Sequence, residues 1–438
     1  MVAQQPTRTI RRSHFVLYLV ITVTLAIILS RATPRLSALL DHLGARTSSS
    51  VGIPGSLRGI LPLHSALTVS QPNQAHSNHI SHCDKMAAYA KELEVAQLAV
   101  QRATILTKRV FHERAKGTVS KDDKSPVTIG DFGAQALIIS ALKANFPEDE
   151  IVAEEEAEMM RSDANLKQIV WDLVSSTKLD DPAAEEALGG PIKDVDSMLD
   201  IIDKGNSKGG NKGRVWAIDP IDGTKGFLRG GQYAVCLGLM VDGDVKVGVL
   251  GCPNLPLDDA APLTADIGTN ATDEGRGVLF SGVLGQGAAS RPLGTGALGE
   301  PKPISMRPLA NMSDATFCES VEAGHSSQGE AAQIAQKLGI TNPSVRMDSQ
   351  AKYASIARGA GDIYLRLPTS KTYVEKIWDH TAGDLIVREA GGQVTDTTGK
   401  RLDFSIGRTL AENKGVVAAP AAVHGQVLKA VQEVLGIN

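Results

Sequence analysis

From about position 84 onward, the apolar residues of this chain fall into periods that predict its elements. Tyr89, Leu93, Ala96, Val100, Ala103, Leu106 and Val110 recur at three- and four-residue steps, one face of a helix that Asp84 can cap. A second helix is expected after Asp131, with Leu137, Ile138, Ala141 and Leu142 inward and a stop near Pro147. Ile151-Val152-Ala153 reads as a short strand ending in Glu154-Glu155-Glu156. Residues 172–213 are polar, Gly- and Lys-rich near their end, and predict a surface insertion around one helix. The apolar run Trp216-Ala217-Ile218 reads as a strand that delivers Asp219-Pro220-Ile221-Asp222, and Gly223-Thr224 then opens a further helix. Ala234 to Gly251 alternates into a hairpin turning at Asp242-Gly243. Residues 252–304, with many Gly, Pro and Ser, predict a long irregular excursion. Helix and strand then alternate through Gly329 to Leu338, Ser349 to Arg358, Asp362 to Leu367, Asp379 to Glu389, Val394 to Thr395, Val416 to Ala418 and Ala421 to Leu435. Hairpin content first and alternation later argue for an α/β (α+β) fold of two subdomains packed in layers, 86–250 and 251–438, behind an extension of residues 1–85.

Composition adds bounds. The 438 residues, 42% of them hydrophobic, are enough to bury a large core. With 45 basic against 49 acidic side chains there is no general attraction to nucleic acid. Cys83, Cys236, Cys252 and Cys318 have no metal-binding or redox spacing and read as isolated thiols. The balance is uneven, however. Up to His82 there are seven arginines, no lysine and one acid, Asp41, around the apolar block Phe15 to Leu29. That block is short for a bilayer span, which needs ~20 residues. A mitochondrial transit peptide, a signal sequence or anchor, a disordered extension, and initiation at Met86 all fit this composition. The compartment therefore stays open between cytoplasm, mitochondrion and a membrane-anchored form, the membrane entering only through this segment.

Three segments place acids where elements change: Glu154-Glu155-Glu156, Asp219 with Asp222, and Asp379-His380. Singly, each has an ordinary explanation as a solvated charge run, a turn or a helix cap. Together, acids at several strand ends can converge only at a shared sheet edge or cleft. Oxygen ligands without cysteine favour magnesium over zinc. Carboxylates beside the free N–H groups of a helix start can hold cations and a phosphate at once.

Ile218-Asp219-Pro220-Ile221-Asp222-Gly223-Thr224 and Trp378-Asp379-His380-Thr381-Ala382-Gly383 resemble the paired signatures of the inositol monophosphatase superfamily, lithium-sensitive and magnesium-dependent phosphatases. Four longer stretches narrow the likeness to its 3'(2'),5'-bisphosphate nucleotidases: Ser125 to Asp131, Ser320-Val321-Glu322 with His325-Ser326-Ser327, Met347 to Tyr353, and Tyr364 to Pro368 running on to Glu375-Lys376-Ile377. The likeness covers roughly Met86 to Asn438. It implies an inositol-monophosphatase-like α/β/α/β/α sandwich in which Glu154, Asp219, Asp222, Asp379 and the Ile221 carbonyl ligate two or three magnesium ions. It further implies that Asp131 with Thr224 activates the attacking water. Gly223, Thr224, His325, Ser349, Lys352, Arg366 and Asp379 would contact a small nucleotide, hydrolysed as adenosine 3',5'-bisphosphate or its sulfated analogue in sulfate assimilation, by a monomer. Ala153 stands where the family usually has glycine, which matters only if that backbone needs positive φ. It leaves open which glutamate is the ligand, and spacing from Asp131 favours Glu154. Related readings are an inositol polyphosphate 1-phosphatase and a non-catalytic nucleotide sensor.

Overall fold

The computed structural model describes residues 88–115, 126–264, 273–322, 324, 326–370 and 372–437. All of them belong to the second of two units, residues 1–77 and 78–438, into which the chain divides. The N-terminal extension, the cap at Asp84, Cys83 and His325 lie outside the described residues. Among the described residues no helix is long and apolar enough to cross a membrane.

The first half comprises α1 Ala90–Ala115, α2 Pro126–Asn145, β1 Glu150–Ala153, α3 Glu158–Ser162, α4 Ala164–Ser176, α5 Pro182–Ala187, α6 Val195–Asp203, β2 Arg214–Asp222, α7 Thr224–Arg229, β3 Ala234–Val241 and β4 Asp244–Pro256. The second comprises β5 Arg276–Val283, β6 Gly287–Pro292, β7 Lys302–Ile304, β8 Phe317–Glu319, α8 Gln328–Leu338, β9 Val345–Arg346, α9 Ala351–Ala357, β10 Ile363–Arg366, α10 Thr381–Glu389, β11 Gly392–Thr395, β12 Val416–Pro420 and α11 Ala421–Leu435.

Alternation along the strands builds the layers. In β2, Trp216 and Ile218 point to the face covered by α1 and α2, where Ala99, Val100, Ile138 and Leu142 meet them. Val215 and Ala217 point the other way, into a core shared with Leu385 and Ile386 of α10 and Ala351 and Ala354 of α9. Tyr364, Val416 and Ala418 of the second sheet close that core from its far side, while Ile363, Leu365, Val417 and Ala419 face α8 and α11. The result is the expected helix–sheet–helix–sheet–helix sandwich. Its sheets run β1-β2-β3-β4-β5-β6-β7 and β11-β12-β10-β8-β9.

The hairpin turns where expected, with Asp242 at φ 52 and Gly243 at φ 80, and α11 spans Ala421–Leu435 as read from the sequence. Three expectations change. The second helix starts at Pro126, suited to a first turn because it needs no N–H donor, so Asp131 lies within the helix and does not precede it. Residues 172–213 are no surface excursion. Asp163, Asp181 and Asp194 each accept N–H groups at a helix start, and Leu173, Met198, Leu199 and Ile202 pack with Leu137 of α2. Residues 252–304 contain β5, β6 and β7, which extend the first sheet to Ile304. Residue 250, expected as a subdomain boundary, therefore lies inside β4, and the break between sheets follows Ile304.

One feature of the first sheet sets the depth of the site. Gly238, Gly248 and Gly282 are register partners across β3, β4 and β5, and α10 lies on this bare backbone. A Cβ on Gly238 would stand 2.5 Å from Thr381 Cγ2, and one on Gly248 2.7 Å from the Ala382 carbonyl oxygen. Only glycine lets the helix, and Asp379 just before it, approach this closely.

Candidate active site

β1 runs parallel to β2, with Ala153 opposite Ile218, so Glu154 emerges beside Asp219. Between Asp219 and Asp222 the β2–β3 register slips. This bulge, at Pro220, re-aims the strand end. Asp379 enters from the turn before α10, and Arg366 from the end of β10. These groups line one cavity of about 300 Å³ together with Ile221, Gly223, Thr224, Ser349, Lys352 and Tyr373.

The short helix α7 closes one wall. Gly223 has φ 87, and a Cβ there would stand 2.9 Å from Ser349 Cβ, so the Gly-Thr turn abuts the Asp348-Ser349 segment. Arg229 pairs with both Glu322 and the buried Asp348. Lys225 reaches Glu322 at 3.2 Å. Ser349 has φ 69, a left-handed conformation that costs a non-glycine residue on the order of 1–3 kcal/mol. It aims its carbonyl at Lys352 Nζ (2.8 Å). It also lets the next residue, Gln350, bind three segments at once. Gln350 donates its backbone N–H to Asp222 Oδ2 (2.5 Å) and its side-chain amide to the Trp378 carbonyl (2.8 Å), and accepts the Gly383 N–H (2.9 Å).

The electrostatics are those of crowded acids. Asp219 is held well above the ordinary carboxylate range, first by removal from water and then by Glu154, Asp222 and Asp379. Asp379 is raised by burial and by Asp222, against the pull of Arg366. Glu154 rises to about 7 through burial and the charges of Glu155 and Asp222, and it shares a hydrogen bond with Asp219. Two carboxyl groups in such contact need a proton or a cation between them. Asp219 Oδ1 is buried with no partner, a lone pair aimed into an all-oxygen setting suited to a hard divalent ion. Among the described residues, Glu375, Asp379 and His380 also bring ligand atoms within 4.8 Å of one another. Glu375 is committed elsewhere: it accepts Arg366 Nε (2.7 Å) and meets His380 Nε2 (3.3 Å), whose Nδ1 meets the Tyr353 hydroxyl (2.9 Å). Against the effect of burial, these partners bring Glu375 down to about 2. Lys352, buried, is lowered to about 8 although Asp222 and Asp348 oppose the shift.

The profile of the inositol monophosphatase family matches residues 89–435. A 3'(2'),5'-bisphosphate nucleotidase of Emericella nidulans is 67% identical over 349 residues, covering 80% of this chain and 99% of that one. Its Schizosaccharomyces pombe counterpart is 49% identical over 348 residues, covering 78% and 95%. The chain belongs to the inositol monophosphatase family. A solved Thermotoga maritima IMPase, 20% identical, covers 79% of this chain and 98% of its own, with a TM-score of 0.49.

Of the residues that this family's pattern implies, Glu154, Asp219, Ile221, Asp222, Gly223, Thr224, Ser349, Lys352, Arg366 and Asp379 meet at the cavity. Glu155 does not line it, and its backbone is held by Gln135 instead (N–H to Oε1 3.0 Å). Ala153, the departure from the family's glycine, is extended and needs no positive φ. Asp131 is buried behind Glu154 and outside the cavity lining. It is raised well above the usual range by burial, Glu155 and Glu154, and among the described residues no hydrogen bond joins it to Thr224. Gln350, Glu375 and Arg229 were not singled out by sequence. The partners of Gln350 and Arg229 lie far along the chain, whereas Glu375 reaches Arg366 and His380, nine and five positions away. The only signal is that Gln350 and Glu375 sit inside family-like motifs.

A prediction follows from Glu154. In the metal-free protein its folded pKa of about 7 exceeds the ordinary 4.5. The folded state then binds the extra proton, and stability falls as pH rises from ~4.5 through ~7. Melting in chelator across this window should decline with pH more steeply for wild type than for Glu154→Gln, and saturating magnesium should flatten the difference. Parallel curves would show that Glu154 does not carry this charge strain.

Proposed function

We propose that this chain is a magnesium-dependent phosphatase that removes the 3'-phosphate of adenosine 3',5'-bisphosphate, giving AMP and phosphate. One observation carries the reading: the unpartnered Asp219 oxygen amid mutually raised carboxylates shares a cavity with Lys352 and Arg366. The acids suit a cation, and the two basic groups suit a second phosphate, which a monophosphate lacks. The names of its nucleotidase relatives agree.

Glu154, Asp219, Asp222, Asp379 and the Ile221 carbonyl would hold two or three magnesium ions, which when bound lower the pKa of water and offset charge on the leaving oxygen. Asp131, with Thr224 at the cavity, would take the proton of a water attacking in line, with no covalent enzyme intermediate. The N–H groups of Gly223 and Thr224 would grip phosphate oxygens. Ser349, Lys352 and Arg366 would hold the rest of the nucleotide, a role that the family resemblance extends to His325. Action as a monomer, sensitivity to lithium and a place in sulfate assimilation belong to the same proposal.

The test is a phosphate-release panel on the purified full chain: adenosine 3',5'-bisphosphate, 3'-phosphoadenylyl sulfate and inositol 1,4-bisphosphate, each with and without magnesium. The nucleotide should be turned over fastest, and only with magnesium. Faster release from the inositol bisphosphate would sink the substrate assignment, and metal-independent release would sink the site.

A further inference from the structure

We propose that Tyr373 is the platform on which the nucleobase stacks, and so the residue that makes this cavity prefer nucleotides to other bisphosphates. The inference rests on the bisphosphate nucleotidase reading and assigns its substrate selectivity to one side chain. Tyr373 is 54% exposed, the most open large hydrophobic side chain among the described residues, yet it lines the cavity of Asp379 and Arg366. Single exposed aromatics on a free surface need no explanation. This one is tethered, because its hydroxyl accepts from Arg366 Nη2 (3.2 Å) and its ring centroid lies 6.0 Å from the guanidinium carbon. Arg366 is in turn held by Glu375 (2.7 Å) and stands 3.9 Å from Asp379. The ring is thus fixed at its polar end to the arm that reaches the carboxylates, while much of its surface stays open.

Among the described residues, the remaining lining offers no other free flat surface. Tyr364 is 2% exposed, its ring already under Lys352 Nζ (5.3 Å) and edge-on to Tyr353 (4.7 Å). Ile221 is buried, and the other lining groups are polar or charged. A planar base laid on Tyr373 would cover apolar area that the protein otherwise leaves in water. A cyclitol or a bare sugar has no flat face with which to do so. Stacking requires the ring and not the hydroxyl, and this separates it from the alternative that Tyr373 merely props Arg366.

The experiment compares Tyr373→Ala and Tyr373→Phe with wild type on adenosine 3',5'-bisphosphate and on base-free 1-O-methylribose 3,5-bisphosphate, with magnesium saturating. Tyr373→Ala should lose about 10- to 100-fold in kcat/KM on the nucleotide, through KM, and no more than about threefold on the base-free compound. Tyr373→Phe should stay within about threefold on both, the loss of one exposed hydrogen bond. Equal losses of Tyr373→Ala on the two substrates would overturn the proposal in favour of support for Arg366. An unchanged KM for the nucleotide would overturn it outright. A wild-type enzyme that hydrolyses neither compound would instead overturn the activity assignment on which it rests.

Discussion

Asp219→Asn should abolish turnover and, in the absence of metal, make the protein more stable. Both effects come from one atom. Asp219 is 3% exposed, and its Oδ1 has no partner. Burial and the charges of Glu154, Asp222, Asp379 and Asp131 all push its pKa up. A carboxyl group whose folded pKa is raised lowers stability progressively as pH climbs above its unfolded value, so at pH 7 the metal-free fold carries a penalty that a neutral amide removes. The melting temperature in chelator should rise by a few degrees. Activity moves the other way, since losing a charged cation ligand removes several kcal/mol of transition-state stabilisation, a fall of about 10³-fold or more. The stabilisation by magnesium, about 2.7 kcal/mol at a hundred times Kd for a good site, should shrink as well. Thermal shift with and without magnesium, beside phosphate release, reads all three quantities. A variant that melts lower in chelator would mean that Asp219 holds the fold together instead of straining it.

Asp131→Asn should show a different signature: kcat falls by about 10²- to 10⁴-fold, the span of general-base catalysis, while KM and magnesium affinity hold. Asn keeps the shape of the side chain. It cannot take a proton, and burial beside Glu155 and Glu154 already makes the neutral form of Asp131 the comfortable one without metal. As at Asp219, the amide should therefore raise the melting temperature in chelator at neutral pH. If kcat stayed near normal, another group would be activating the water. If magnesium affinity dropped instead, Asp131 would belong to the cation site.

How far the chain can be read without coordinates depends on how local the signal is. The acids of the site were legible because strand periods end where they stand: β1 stops at Ala153 and β2 at Asp222. Long amphipathic runs were equally plain, as in α11. Failures came where local composition misleads. β6 and β7 lie among Gly, Pro and Ser and form only because β6 pairs with β5 and β7 with β6. β8 and β9, three and two residues long, have too little length for any period. The aspartate caps at 163, 181 and 194 were a readable signal that polarity concealed. Gln350 could not be found locally, since it acts on Asp222, 128 positions away.

The row of glycines beneath α10 has an implication for how such an enzyme can be lost or redesigned. The gap between the acids of the first sheet and Asp379 is metered by bare main chain at Gly238 and Gly248. A single methyl there would press on Thr381 or Ala382 at the start of the helix and lift it like a shim under a hinge. Every acid would still be in place by inspection of the sequence, yet Asp379 would be drawn away from Glu154, Asp219 and Asp222 on the first sheet. Inventories of active-site residues will pass such a chain as competent. Conversely, anyone wishing to change what the cavity accepts can vary Tyr373, provided that this spacer and Arg366 are left alone.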